Sequence, residues 1–175
     1  DCGRIAAARE DGALEFFEVA TGETVGRARR LDSPAASLAF DPSGTVVAAG
    51  LDDGRLALID EAAGDPFTID VAAGLPLATV RFTADGRRLL TVDEQENLRT
   101  LSARSLKLIA LSNTDGMPTR RRLSGDGRLA AGFVATRAGD QIRLVDTATG
   151  GEAASVGGLD DPITVGDVFL NGDGS

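Results

Sequence analysis

With 18 basic against 27 acidic side chains in 175 residues, the chain carries a net charge of −9, which excludes a nucleic-acid surface because neutralising phosphates needs a basic face. It has no histidine and one cysteine, so Ser-His-Asp and Cys-His machinery, imidazole metal sites and an internal disulfide are all excluded. No apolar run approaches the roughly 18 residues of a membrane-spanning helix, so membrane insertion is not expected; the lone cysteine gives a lean towards the cytoplasm.

In chain order, the first strand is expected over 3–8, where Ile5 precedes three alanines. Asp11-Gly12 between apolar segments signals a hairpin, and Leu14 and Phe16 alternate along the next strand, which closes on Phe17-Glu18 before a turn at Gly22. After Pro34 a strand ends at Phe40, and Asp41-Pro42-Ser43-Gly44 turns the chain into the apolar run Thr45 to Gly50. A second Asp53-Gly54 hairpin leads into Leu56 and Leu58, then Ile59-Asp60 and Gly64. The same order returns after Pro76: Phe82, the turn Thr83-Ala84-Asp85-Gly86, the run Arg87 to Val92, then Leu98 and Thr100 closing on Leu101-Ser102. Leu106 stands here where the sibling units have Gly, and this unit is the most degenerate. A further unit follows Pro118, with Leu123, Ser124-Gly125-Asp126-Gly127, the run Arg128 to Phe133, Ile142 and Leu144, Val145-Asp146 and Gly150. After Pro162 a last strand is expected at 165–170, ending in Leu170 before Asn171-Gly172-Asp173-Gly174.

Prolines 34, 76, 118 and 162 thus lie 42, 42 and 44 residues apart. A period of about 40 to 45 residues is what a four-stranded propeller blade needs, and it exceeds the roughly 33 to 34 of helical-pair repeats. Proline suits the start of a strand because it has no amide to give to a ladder. The expected fold is all-β, a β-propeller of four-stranded antiparallel blades with about four blades' worth in this chain. The single region 1–175 divides into units over 3–30, 35–73, 77–112 and 119–157, plus the first strand at 165–170. The first unit opens at a second strand and the last residues supply a first strand, so the two ends carry complementary parts of one blade. The chain is therefore expected to be part of a larger propeller, with further blades from the same or another chain, because four blades make a tight ring and an open arc exposes strand edges.

The stretch Phe40-Asp41-Pro42-Ser43-Gly44 through Asp53-Gly54 to Ile59-Asp60 resembles a WD40 repeat, as does Asp126-Gly127-Arg128-Leu129 through Ile142 to Val145-Asp146. The hydrophobic-Asp pairs stand where that family has Trp-Asp. The chain has no Trp and no His, so the family's buried His-Ser-Asp-Trp hydrogen-bond network cannot form here. The resemblance implies a non-catalytic protein-interaction scaffold or sensor. Bacterial domains of this kind are commonly attached to kinases, signalling ATPases or transcription regulators, and the abundance of Ala, Gly, Arg and Asp agrees with a bacterial source. Two alternatives remain: a propeller enzyme of lactonase or hydrolase type with a channel-bound metal, and a carbohydrate-binding propeller, against which the lack of Trp and Tyr rings counts.

No catalytic, cofactor or metal residue is assigned, and no cofactor is expected. The acidic pairs Asp52-Asp53, Asp160-Asp161 and Glu94 with Glu96 have Ca2+-ligand chemistry, but adjacent acids in Gly-containing turns are ordinary turn chemistry. The basic clusters Arg120-Arg121-Arg122 and Arg27, Arg29 and Arg30 read as solvated strand or loop residues. Strand alternation puts the loops between second and third strands on one face with the loops that join blades. The first set brings Glu10, Asp11, Asp52, Asp53, Asp93, Glu94, Glu96 and Asp140, and the second Asp32, Asp115, Asp160 and Asp161, set against Arg9, Arg29, Arg30 and Arg137. Of these, Glu10, Asp11, Asp52, Asp53, Glu94, Glu96, Asp160 and Asp161 are the expected partner-binding residues, and a basic protein segment is the expected partner.

Overall fold

A computed structural model describes residues 3–60, 65–112, 122–136 and 139–159. Every regular element among them is a strand. The first sheet contains β1 (Arg4–Ala8), β2 (Ala13–Glu18) and β3 (Arg29–Arg30), and the second contains β4 (Ala35–Phe40), β5 (Val46–Leu51), β6 (Arg55–Asp60) and β7 (Phe67–Asp70). The third holds β8 (Thr79–Phe82), β9 (Arg88–Val92), β10 (Leu98–Ser102) and β11 (Leu108–Ser112). The fourth holds β12 (Arg122–Leu123), β13 (Leu129–Thr136), β14 (Gly139–Asp146) and β15 (Glu152–Leu159). Neighbours in sequence are neighbours in each sheet, and every ladder among the described residues is antiparallel, which is the meander of a propeller blade. The expected strand at 165–170 lies outside the described residues.

The chain divides into two compact units, Asp1–Arg81 and Phe82–Ser175. In the first, Leu14, Phe16 and Leu31 pack with Val47, Ala49, Leu51, Ala57 and Ile59, and the rings of Phe16 and Phe40 meet at 6.3 Å and 58°. In the second, Leu90, Val92 and Leu98 pack with Ala130 and Val145. Small residues dominate β5 because its neighbours come close. An added Cβ on Gly50 would lie 2.6 Å from Val80 Cγ2, and Ala48 and Ala49 are fully buried. The alternation read along the third strands holds for β2, whereas β6 and β10 are buried on both faces at Leu56, Ala57 and Ile59 and at Leu98, Thr100 and Leu101.

The turns joining first and second strands repeat one device. Asp85 accepts the Thr83 hydroxyl at 2.6 Å and the Arg87 amide at 3.0 Å, while Thr83 Oγ1 accepts the Arg88 amide. Asp126 accepts the Ser124 hydroxyl at 2.7 Å and the Arg128 amide at 3.0 Å, while Ser124 accepts the Leu129 amide. Asp41 accepts the amides of Thr45 and Val46 at 2.9 and 2.8 Å. These are side chain-to-backbone turns, and they account for the Ser124 to Gly127 motif without a Ca2+ ion. The hydroxyl of Thr83 holds the Asp85 carboxyl below its ordinary value, as that of Ser124 does for Asp126, with a backbone amide adding to each.

Candidate functional site

In the first unit, backbone hydrogen bonds tie the turn 9–12, the blade-joining segment 31–34 and the turn 52–54 together. The Leu31 amide donates to the Gly12 carbonyl at 2.8 Å, and the Asp52 amide to the Pro34 carbonyl at 3.0 Å. Past β7, the amides of Val71 and Ala72 both donate to the Gly54 carbonyl, and Leu77 donates to Leu51. Gly54 sits at φ 83°, and a Cβ there would lie 2.8 Å from the Gly74 nitrogen, so only glycine fits beneath this crossing. Loops that are ordinarily mobile are thereby fixed on a rigid frame.

Arg55, the first residue of β6, completes the link. Its Nε and Nη2 lie 2.7 and 2.6 Å from Asp53 Oδ2, and its Nη1 lies 3.3 Å from Asp32 Oδ2. The Arg55 guanidinium holds the Asp53 carboxyl below the usual carboxylate range, and Asp53 in turn raises the guanidinium. The two loop sets grouped by strand alternation thus meet through one cation, and Arg55 offsets part of their negative charge. Glu10, Asp11 and Asp52 remain exposed. Glu10, Asp11, Arg30, Asp32 and Ser33 line a concavity of about 460 Å3 beside them. Asp11 is partly occupied by its own turn, accepting the Ala13 amide at 3.1 Å with Arg9 Nε 4.0 Å away.

The corresponding turn of the second unit, 93–97, is built differently. Asp93 has no exposed side-chain surface. It accepts the amides of Gln95 and Asn97, the Asn97 side-chain amide at both oxygens, and Arg99 Nη1 at 2.6 Å. Burial pushes its carboxyl up, but the bonds from Arg99 and Asn97 outweigh this and hold it below its ordinary value. Asp93 was grouped by strand alternation with the loop acids; it is internal, and its charge is compensated by Arg99. Glu94 is exposed, and Glu96 takes a left-handed conformation at φ 62°.

Asp115, Asp160, Asp161 and Arg137 lie outside the described residues, as do Cys2, Arg120 and Arg121. Asp140 is described only as a member of β14. Arg29 and Arg30 form β3, and with Arg27, Asp32, Asp65 and Thr68 they line a second concavity of about 390 Å3. Sequence reasoning missed Arg55, Asn97 and Arg99. The available signal was position: Arg55 follows Asp53-Gly54 directly, and Asn97 and Arg99 lie four and six residues after Asp93, within reach of a carboxylate that closes its own turn. Among the described residues no group of three or more His, Cys, Asp and Glu side chains is placed to hold a metal, and no helix is long and apolar enough to cross a membrane.

No protein-family model and no curated protein sequence matches the chain. Solved structures do match. A chain of Kuenenia stuttgartiensis hydrazine synthase is similar over 82% of this chain at 13% identity, with a TM-score of 0.66. A chain in the crystal structure of a mitotic checkpoint complex is similar over 88% at 15% identity, with a TM-score of 0.71. Both neighbours contain propellers, and this chain spans 42% and 49% of their respective lengths. At these identities the likeness establishes the fold, which is a set of antiparallel propeller blades.

Proposed function

We propose that this chain is a WD40-like, non-catalytic interaction scaffold whose loop face takes a basic segment of a partner protein. The observation that carries this is the stitching of the loops 9–12, 31–34 and 52–54 into one fixed surface that leaves Glu10, Asp11 and Asp52 exposed. Fixed loops hold a binding geometry without an ordering cost, and exposed charge of one sign speeds encounter with the opposite sign. The neighbour drawn from the mitotic checkpoint complex is part of a protein assembly, which agrees with a recruiting role. The hydrazine synthase neighbour keeps an enzymatic alternative in view, but the described residues bring together no ligand set that would hold a channel metal. Within this proposal the chain serves in the cytoplasm as the sensing or recruiting part of a larger bacterial signalling protein, with further blades supplied by the same or another polypeptide.

A fluorescent lysine-rich decapeptide tests the face. It is expected to bind the whole chain with strong salt dependence, and Glu10→Lys with Asp52→Lys is expected to weaken it about tenfold. Thr45→Lys and Ala84→Lys, in turns joining first and second strands, are the controls. Equal weakening by the controls, or none by the loop variants, refutes the assignment of face.

A further inference from the structure

The fourth strand of a blade ends its sheet, and natural proteins blunt such edges with short strands and charge. Three of the four outer strands follow that rule. β3 is two arginines long, β7 is flanked by Asp65 and ends in Asp70, and β15 opens with Glu152, which lies 3.0 Å from Arg143. β11 does not. It reads Leu-Ile-Ala-Leu-Ser, and Leu108, Ile109 and Leu111 are 55%, 48% and 47% exposed. Among the side chains described, no other strand shows three large apolar ones to solvent.

Among the described strands β11 ends its sheet and is paired on one side alone. β10 pairs with it through Leu98↔Ser112, Thr100↔Ala110 and Leu101↔Leu108, with an irregularity between the last two pairs. The Asp93 amide donates to Asn97 on the β9 side of β10, and the Ser102 amide to Lys107 on the β11 side. Alternation from Lys107 leaves the backbone groups of Leu108 at the outer edge, and alternation from Ala110, which faces Thr100, leaves those of Leu111 there, with Ile109 taken up in the irregularity between them. The turn at Gly150 lies against Ala110, where an added Cβ would be 3.4 Å from that of the alanine.

The segment that carries this edge has a charge opposite to that of the chain. From residue 97 to residue 114 there is no Asp or Glu, whereas Arg99, Arg104 and Lys107 are present in a protein of net charge −9. Arg99 is engaged by Asp93, and Arg104 and Lys107 stand exposed in the turn that enters β11.

We infer that the outer edge of β11 receives an extended segment of a partner protein, alternating apolar and acidic residues, as a fifth strand of the third sheet. Main-chain hydrogen bonds to Leu108 and Leu111 would supply affinity, and the exposed apolar side chains with Arg104 and Lys107 the selectivity. This surface is distinct from the loop face, so each can fail without the other.

The probe is a fluorescein-labelled nonapeptide alternating valine and glutamate, compared with one alternating valine and lysine, on the whole 175-residue chain. The glutamate peptide is expected to bind at least about tenfold more tightly and to slow amide hydrogen exchange over 107–112. Leu108→Pro removes an edge donor at the first residue of the strand, and Leu111→Glu adds repulsion at an exposed position. Each should weaken binding about tenfold or more, with an unchanged circular dichroism spectrum required of at least Leu111→Glu. Equal affinity for the two peptides, absence of saturation at millimolar peptide, or binding that ignores both variants overturns the proposal. Self-association of the chain that both variants abolish also overturns it, by assigning the edge to a second copy.

Discussion

Arg55 reaches back 23 residues to place its guanidinium 3.3 Å from the Asp32 carboxylate while gripping Asp53 at 2.6 Å, so one cation joins a blade-connecting loop to the hairpin of the following blade. Asp32 is 68% exposed, and water screens its attraction to Arg55, so the arrangement matters more for the charge of the face than for the stability of the fold.

Arg55→Met is therefore expected to leave the urea midpoint nearly unchanged and to raise the association rate of the lysine-rich decapeptide about two- to fivefold at low salt. The difference should vanish near roughly 0.5 M salt, where screening acts over a few ångströms. Stopped-flow fluorescence at the two salt concentrations is the measurement, and a slower rate in the variant would contradict it.

Asp93 gives the second unit a defined response to acid. Its carboxyl is held below the ordinary 3.8, so the ionised form is favoured in the folded chain relative to the unfolded one. The stabilisation is complete above about pH 5 and is lost as pH falls through 4 towards the lowered folded value. Asp93→Asn should flatten the fall in urea midpoint between pH 7 and pH 3. Asp93→Ala, which leaves Arg99 beside a cavity, should cost about 2 to 4 kcal/mol at pH 7. Parallel pH profiles for the wild type and Asp93→Asn would refute the role.

Gly50 marks the tightest crossing of the first unit. An added Cβ would meet Val80 Cγ2 at 2.6 Å and both Leu77 O and Ser37 Oγ at 2.7 Å. The last two already share a hydrogen bond of 2.8 Å. Gly50→Ala is expected to destabilise by about 2 to 3 kcal/mol through overpacking, read as a lowered denaturation midpoint, whereas the same change at the exposed Gly22 meets no atom within 4 Å and pays only the cost of its positive φ.

Leu106 occupies a left-handed position, φ 54°, where Gly22 and Gly150 stand at 71° and 72°. A branched side chain in that region is strained by about 1 to 2 kcal/mol, and a glycine there gives back part of the gain through the entropy of the unfolded chain. Leu106→Gly is expected to stabilise by about 0.5 kcal/mol, and Gly150→Leu to destabilise by more than about 1 kcal/mol. Chemical denaturation of both variants checks the sign.

The blade architecture was legible because period and punctuation are local. Pro34, Pro76 and Pro118 set the period, and Asp41, Asp85 and Asp126 close their turns through bonds to residues two to five positions away, which a linear pattern records. The loss of glycine at Leu106 was legible for the same reason. The electrostatics of the candidate site were not. Whether a loop acid is open, as at Asp52, or internal, as at Asp93, depends on which side chain returns from the next strand. Charge counting treats the two alike. The exposed edge of β11 was hidden in a similar way, since an apolar run reads as buried until its place at the end of the sheet is known.

The Asp-closed turns also bear on how the molecule ages. Asp-Gly peptide bonds isomerise through a cyclic imide when the glycine nitrogen attacks the preceding side-chain carboxyl, a reaction that needs a free nitrogen and an uncharged carboxyl. In the turns at Asp53-Gly54, Asp85-Gly86 and Asp126-Gly127 the glycine amide donates to the carbonyl of Leu51, Thr83 or Ser124, at 3.1, 2.8 and 2.9 Å. Each carboxyl is meanwhile held ionised by its own partners, led by Arg55, Thr83 and Ser124. Both reactants are held in their unreactive forms, so folding is expected to slow isoaspartate formation at these three dipeptides relative to the unfolded chain.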